Sequence, residues 1–448
     1  MSLPGFLLAG THSGCGKTTL AAGLLRAFRH RGTVIAPFKA GPDYLDPMLH
    51  AVAAGRPSWN LDGWFLDDQG LREAYARGGA GAELALAEGA MGLFDGADPV
   101  TFQGSGADLA RRLGLPVVLV VDGSGMGGSV AATVLGHARM WDGLDLAGVI
   151  LNRLGGSRHF ELQRAAIEAH AGVKVLGWMP ESRDWRLPER HLGIVQPSEI
   201  EGLDAALDAL AREVAATIDL EALAALARTP EAQPAVEPVP KGDLPVALAR
   251  DEAFGFIYAD TLDRLERLGV RWVPFSPLRE RLPEGVAGLY LPGGYPELHA
   301  EALSGSPFLA GLRAAHAEGL PIFAECGGYM IFSEALVDRQ GRAHPMAGLV
   351  PGRTRMTERL QSFGYKRLRA LRDNLFCPAG TEGRAHEFHH SVWEGAPPVP
   401  AWETTSLQGE AGSDGFAQGN LLAGYLHLHF GANPAWAGRW VSRMRACR

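Results

Sequence analysis

Short apolar runs recur along the first half of the chain, at Phe6 to Ala9, Val34 to Phe38, Leu84 to Ala87, Val117 to Val121 and Val149 to Leu151. Helix-patterned stretches separate them. Strands that are apolar on both faces need cover on both sides, so this rhythm predicts a parallel sheet between two helical layers. The pattern breaks after Arg228, where TPEAQPAVEPVPKGD places Pro230, Pro234, Pro238 and Pro240 in one short stretch. Proline fixes φ and removes a backbone donor, so residues 229–243 read as a linker between domains 1–228 and 244–448. Beyond it, the runs Val246 to Leu248, Leu289 to Leu291 and Ile322 to Ala324 open a second α/β unit, and Leu421 to Phe430 reads as a late strand with its loop. The C-terminal PAWAGRWVSRMRACR is basic and amphipathic; a terminal helix packed on its own domain is expected rather than a membrane-surface helix.

Composition narrows the class without choosing a function. With 46% hydrophobic and 21% charged residues over 448 positions, the chain can bury two or three ordinary soluble domains. No apolar run approaches the about 20 residues of a membrane span, and MSLPGFLLAGTHSG lacks the basic start and cleavage site of a leader, so a cytoplasmic protein with no membrane partner is expected. Cys15, Cys326, Cys377 and Cys447 are too scattered for a disulfide framework or paired metal-ligand spacing. The net charge of -8 argues against generic nucleic-acid binding.

The first chemistry-bearing string is GTHSGCGKTT, Gly10 to Thr19, a variant of the phosphate-loop pattern with Thr11 where the first glycine usually stands. An apolar strand feeds it and a helix-forming stretch from Thr18 to Arg29 follows, the context that a strand-loop-helix phosphate site needs. Gly14 and Gly16 let backbone amides approach phosphate, Lys17 supplies a mobile charge, and the Thr18 hydroxyl can ligate Mg²⁺. Cys15 reads as a small filler. A nucleotide-bound Mg²⁺ also wants carboxylate oxygens at neighbouring strand ends, and Asp43 and Glu88 follow apolar runs in the right way. Asp46 and Asp95, close by in sequence, are candidates for substrate contact, with helix or turn capping as the alternative for all four acids.

The second string is IFAECGGYM. Cys326 ends an apolar strand and precedes Gly327 and Gly328, so its sulfur can project from a sharp strand-to-helix turn. The Gly327 amide would face a developing oxyanion, and Gly294 in LPGGYPE is a candidate second donor. GYLHLHF offers His427 and His429 at alternate positions of a strand-like segment, so either could be the base. Cys377 and Cys447 lack such surroundings. His386, Glu387 and His390 spell HExxH, but no helical stripe accompanies them; an active-site or packing role is expected instead of a zinc site.

GTHSGCGKTT, FKAGPDYLDP, AEGAMGLFDG, LPERHLG, AECGGYM, HEFHHS and GYLHLHF, in this order along nearly the whole chain, resemble the cobyrinic acid a,c-diamide synthases. The resemblance implies an N-terminal domain similar to dethiobiotin synthetase and a C-terminal class I glutamine amidotransferase-like α/β domain. It assigns Lys17 and Thr18 to ATP and Mg²⁺, Asp43 and Glu88 to the metal, Asn152 in VILNR to adenine, and Asp46 to the corrin substrate or its intermediate. Cys326 becomes the nucleophile and His427 its base. Two positions depart from the broader amidotransferase class: His429 stands where a glutamate follows the catalytic histidine, and Ala324 replaces the first glycine of the elbow.

On that resemblance, ATP converts a corrinoid carboxylate to an acyl phosphate and ammonia released from L-glutamine displaces the phosphate. Either cobyrinic or hydrogenobyrinic acid fits, a shielded ammonia path between domains is expected, and a homodimer is allowed. Two rivals remain at this level. One is another tetrapyrrole amidase, of the cobyric acid synthase or nickel-sirohydrochlorin type. The other is an ATP-driven partitioning switch, whose loop begins with a signature lysine where this chain has His12.

Overall fold

The computed structural model describes residues 3–181, 189–190, 193–194, 196–231, 233–395 and 400–447. LPERHLG falls largely outside them. The chain divides into two compact units, 1–237 and 238–448, and the division lies inside the proline-bearing stretch. Arg228, at the start of that stretch, is still tied to the first unit by a backbone pair with Gly5.

Among the described residues the first unit is built on a seven-stranded parallel sheet. Its spatial order is Trp59–Leu61, Ile35–Ala40, Leu84–Glu88, Gly5–Gly10, Val117–Asp122, Leu146–Leu154 and Val175–Pro180. The first strand in the chain thus lies in the middle, with later strands added on both sides; ligands of such sheets bind beyond the carboxyl ends at that reversal. The five apolar runs all became strands, because each is buried on both faces. Trp59–Leu61 is too short to register as a run, and Gly177 and Pro180 disguise Val175–Pro180 as a loop. Helix Lys17–His30 buries Leu20, Leu24, Leu25 and Phe28 on one face. Its Gly23 presses against Leu210 and Val214 of helix Leu203–Thr217.

The second unit mixes two architectures. A six-stranded sheet runs in the order Val270–Phe275, Leu244–Ala249, Leu289–Leu291, Ile322–Glu325, Leu421–Gly424 and Phe416–Gln418, parallel except for the last strand. An antiparallel five-stranded sheet orders Ala411–Asp414, Trp402–Ser406, Ser362–Ala370, Glu382–His389 and His427–Leu428. The expected late strand is therefore two strands in two sheets: Leu421–Gly424 beside the cysteine strand, and His427–Leu428 beside Glu382–His389. The C-terminal helix Pro434–Ala446 buries Trp436, Trp440, Val441 and Met444, and Trp440 packs against Tyr290, Phe323, Phe376 and Phe430. Its apolar stripe is consumed within its own unit. Among the described residues no helix is long and apolar enough to cross a membrane.

Candidate active sites

In the first unit, strand Gly5–Gly10 turns into helix Lys17–His30 through the glycine-rich loop. Gly16, immediately before the helix, has φ 97°, a left-handed conformation that a side chain resists, and a Cβ there would strike the Asn152 amide. The unpaired amides of the helix N-terminus face the loop's hollow, as phosphate binding requires. Lys17 is buried and its Nζ donates to the His12 carbonyl at 3.3 Å, curling back over the loop. Asn152 braces the loop from beneath: Nδ2 donates to Cys15 O at 2.8 Å, while Oδ1 accepts from Arg153 N at 2.9 Å. Arg153 reaches Gly14 O at 2.6 Å and Asp122 at 2.5 Å, with its own backbone at φ 59°. Cys15 is fully buried, the filler it resembled.

The Thr18 hydroxyl donates to Glu88 Oε1 at 2.8 Å and lies 3.4 Å from Asp46 Oδ2. Glu88, the last residue of its strand, is wholly buried. Lys39 Nζ sits 3.0 Å from Glu88 Oε1 and 2.6 Å from Asp46 Oδ2, and His50 Nε2 donates to Glu88 Oε2 at 2.6 Å. Burial by itself would raise the Glu88 pKa, but Lys39 and His50 hold it well below the usual carboxylate range. Burial would lower Lys39, yet Asp46, Glu88 and Asp43 together raise it, so the lysine stays charged. Asp43 caps helix Leu45–Ala54, its Oδ1 accepting from Leu45 N and Asp46 N. Burial and the neighbouring Asp46 push its carboxyl up to about 7.

The candidate ligands Thr18, Asp43, Asp46 and Glu88 offer oxygens, and Thr18, Asp46 and Glu88 lie within hydrogen-bond or ion-pair distance of one another or of Lys39. That composition fits a hard divalent ion such as Mg²⁺. No cluster of three or more His, Cys, Asp or Glu among the described residues forms a cage by itself.

In the second unit, Cys326 has φ 46° and ψ −107°, between strand Ile322–Glu325 and the short helix Gly327–Met330. Such a non-glycine conformation costs about 1–3 kcal/mol and persists only when its surroundings enforce it. Three features do so here. Cys326 N donates to Gly424 O at 2.7 Å; Ala324, at the elbow's departed glycine position, is fully buried inside the sheet; a Cβ on Gly328 would collide with the Leu291 carbonyl. The Gly294 nitrogen lies 3.0 Å from where a Cβ on Gly327 would be, so the two candidate oxyanion donors are on adjacent backbone.

His427 and Cys326 converge over Gly293. A Cβ built there would be 2.6 Å from His427 Cε1 and 3.5 Å from Cys326 Cβ. Burial pushes the thiol up, Glu297 adds to this, and the Gly327 N–H opposes it. Burial and the nearby His386 and His389 drive His427 down to about 3. The resting pair is thus neutral thiol and neutral imidazole, the combination in which the ring can accept the sulfur's proton.

His429 does not share that face. The strand carrying His427 ends at Leu428, so the alternation ends with it; His429 Nδ1 accepts from Gly431 N at 3.1 Å, lies 3.8 Å from Asp260, and packs against Tyr258. Of the two histidines, His427 is the one that converges with Cys326 over Gly293. HExxH lies on strand Glu382–His389 and its end, where no two histidines share a helical face. That strand instead walls the cysteine: Phe388 O is 3.9 Å from Cys326 Sγ, and His386 is in register with His427.

Residues 6–194 match the CobQ/CobB/MinD/ParA nucleotide binding domain, and 245–435 match the CobB/CobQ-like glutamine amidotransferase domain. The chain is 46% identical to hydrogenobyrinate a,c-diamide synthase of Rhodobacter capsulatus, over 95% of this chain and 98% of that protein. It is 40% identical to the cobyrinate a,c-diamide synthases of Streptococcus sanguinis and Salmonella typhimurium, over 98% of this chain and 99% and 98% of theirs. The chain belongs to the cobyrinate and hydrogenobyrinate a,c-diamide synthase family.

Within this a,c-diamide synthase family member, the partners of several site residues cannot be read from the sequence. Lys39 sits in an apolar strand four residues before Asp43, and His50 on a helix one turn after Asp46; only the fold shows that both meet Glu88. Glu387, the acid of HExxH, shows its partners only in place: His389, Ser362 and Lys366 pull it down to about 2 against the effect of burial. Gly293 is the most testable. Gly293→Ala is expected to displace His427 and reduce glutamate release from glutamine about 100-fold. Amidation supplied with ammonium chloride should stay within about twofold, and parallel assays of the two donors check it.

Proposed function

We propose that the protein uses ATP and L-glutamine to amidate the a and c acetate carboxylates of cobyrinic or hydrogenobyrinic acid. The observation that carries this reading is the pairing, on one chain, of the phosphate loop facing Thr18 and Glu88 with the strained Cys326 elbow facing His427. A nucleotide site alone would serve a switch, and a glutaminase alone needs no ATP. Relatives matched at both ends of the chain are named for a reaction that requires each.

In the first unit, Lys17 and the loop amides hold the ATP phosphates while the substrate carboxylate oxygen attacks the γ-phosphorus, giving an acyl phosphate and ADP. Asp43, Glu88 and the Thr18 hydroxyl would hold Mg²⁺ with the phosphates, and the ion would supply charge neutralisation there. Asp46 lies beside Lys39 at the edge of this cluster, and with it would orient the substrate carboxylate or its intermediate. Asn152 keeps the loop in shape, and an adenine contact for it is what the family resemblance implies. In the second unit, Cys326 sulfur attacks the glutamine side-chain carbonyl and His427 takes the thiol proton. The Gly294 and Gly327 amides stabilise the oxyanion. His427 then returns the proton to the leaving nitrogen, ammonia departs, and water hydrolyses the glutamyl thioester to glutamate. Ammonia adds to the acyl phosphate and phosphate leaves. A cytoplasmic location, where ATP and glutamine are both supplied, belongs to this reading.

The reading is tested with purified protein, ATP, Mg²⁺ and glutamine, offered cobyrinic acid, hydrogenobyrinic acid and other tetrapyrrole acids in turn. Mass spectrometry should find two amides, at a and c, on one or both of the first two acids. Amidation at other carboxylates would move the protein to another tetrapyrrole amidase group. ATP turnover with membrane or DNA association, and no glutamate formed, would identify a switch.

A further inference from the structure

The backbone that carries His427 crosses from one sheet to another. Gly424 ends a strand of the cysteine's sheet, and His427–Leu428 pairs with Glu382–His389 in the other. Along this crossing the buried N–H groups are received by carboxyl groups. Asp414 accepts from Tyr425 N at 3.2 Å and Leu426 N at 3.1 Å, and Glu325 Oε1 accepts from Leu428 N at 2.7 Å. A buried N–H left without an acceptor costs about 1–3 kcal/mol, so these oxygens decide where the crossing lies.

Glu325 precedes the nucleophile directly, ends the Ile322–Glu325 strand, and is 1% exposed. Its other oxygen, Oε2, receives the Tyr290 hydroxyl at 2.6 Å. Tyr290 is itself buried in strand Leu289–Leu291, beside the cysteine strand. The carboxyl is thus fixed at one end by the sheet and at the other holds the residue after His427. We propose that Glu325 is a positioning residue of the glutaminase centre, setting the distance between His427 and Cys326 by anchoring the Leu428 amide to the nucleophile's own strand. The broader amidotransferase class has a glutamate two residues after its histidine; here that position is His429, which accepts from Gly431 N and lies 3.8 Å from Asp260. Glu325 joins the backbone just after His427 to the strand that ends at the nucleophile.

Chemistry next to a thiol favours a carboxyl that is not ionised. Burial pushes Glu325 up to about 8, against the pull of Tyr290 and the Leu428 amide. A glutamine keeps this shape: its oxygen can accept from Leu428, and its NH₂ can donate to the Tyr290 oxygen. Aspartate keeps the acid but withdraws it by one methylene, beyond reach of the Leu428 amide. Leucine keeps the volume and offers no acceptor.

The inference rests on the glutaminase reading above, and glutamate release by the parent enzyme tests that reading separately. With full-length protein, kcat and KM for glutamine are measured for E325Q, E325D and E325L, alongside amidation from ammonium chloride. E325Q should keep at least about a third of the parent kcat. E325D and E325L should lose about 30- to 100-fold in kcat, the scale of a 1 Å misplacement, with KM within about threefold. Ammonium-driven amidation should remain within about twofold in all three. If E325L is insoluble, the Asp–Gln comparison decides alone. Equal kcat in E325D and E325Q, or a loss that appears in KM for glutamine instead of kcat, would overturn the proposal.

Discussion

Cys326→Ala is expected to lower glutamine-dependent amidation by at least about 10⁴-fold while leaving ammonium-driven amidation within about threefold of the parent. Loss of a covalent nucleophile removes the whole acyl-transfer route and not one stabilising contact, and comparable removals cost about 10⁴–10⁶ in other enzymes. The fold should tolerate the change. Alanine deletes only the sulfur, and Cys326 N still bonds Gly424 O. The left-handed backbone at φ 46° is already occupied by a residue with a Cβ, so no new strain is introduced. The check is paired initial rates with glutamine and with ammonium chloride, with product amides counted by mass spectrometry. Equal loss with both donors would mean that Cys326 serves the whole enzyme and not the nitrogen supply.

Lys17→Met should give the opposite selectivity. Amidation is expected to fall about 10²–10³-fold with either nitrogen donor, while glutamate release stays near the parent rate in conditions where the two are uncoupled. Lys17 has a buried stem and a head resting on the His12 carbonyl, a weak perch that it can leave for phosphate oxygens. Methionine keeps the stem's packing and removes the charge, so the loss isolates electrostatic stabilisation of the transferring phosphoryl group. Lys39 does not substitute for it: its ammonium is held between Asp46 and Glu88 at 2.6 and 3.0 Å. ADP formation against corrinoid concentration, with glutamate measured in the same samples, reads both parts.

Both local turns were legible in the sequence, because each is a contiguous string whose glycines follow from backbone geometry. The phosphate loop is announced by Gly14, Gly16, Lys17 and Thr18, and the elbow by Cys326, Gly327 and Gly328. The central parallel strands were legible too, since burial on two faces leaves unbroken apolar runs. What escaped was assembled across distance. Lys39 meets Glu88 because their strands are neighbours in the sheet, and His50 reaches it from helix Leu45–Ala54; neither contact follows from the linear string. The antiparallel sheets of the second unit are polar on one face and full of arginine and histidine, so strands such as Ser362–Ala370 and Glu382–His389 look like loop. HExxH misleads for the same reason: a regular expression has no secondary structure, and here it falls on a strand whose Phe388 carbonyl faces the nucleophile. His429 shows the limit of periodicity. Alternation places it beside His427, but the strand stops one residue earlier and its imidazole goes to Gly431 and Asp260.

The central claim is that nitrogen released at Cys326 becomes the nitrogen of an amide whose carboxylate was activated at the phosphate loop. Glutamine labelled with ¹⁵N in its side-chain amide, supplied with ATP, Mg²⁺ and the preferred corrinoid acid, tests this in one mass spectrum of the product. The account predicts one ¹⁵N for every amide formed, two in the diamide, with about one ATP spent for each. A product without ¹⁵N, formed while glutamine is hydrolysed and ATP is consumed, would contradict it.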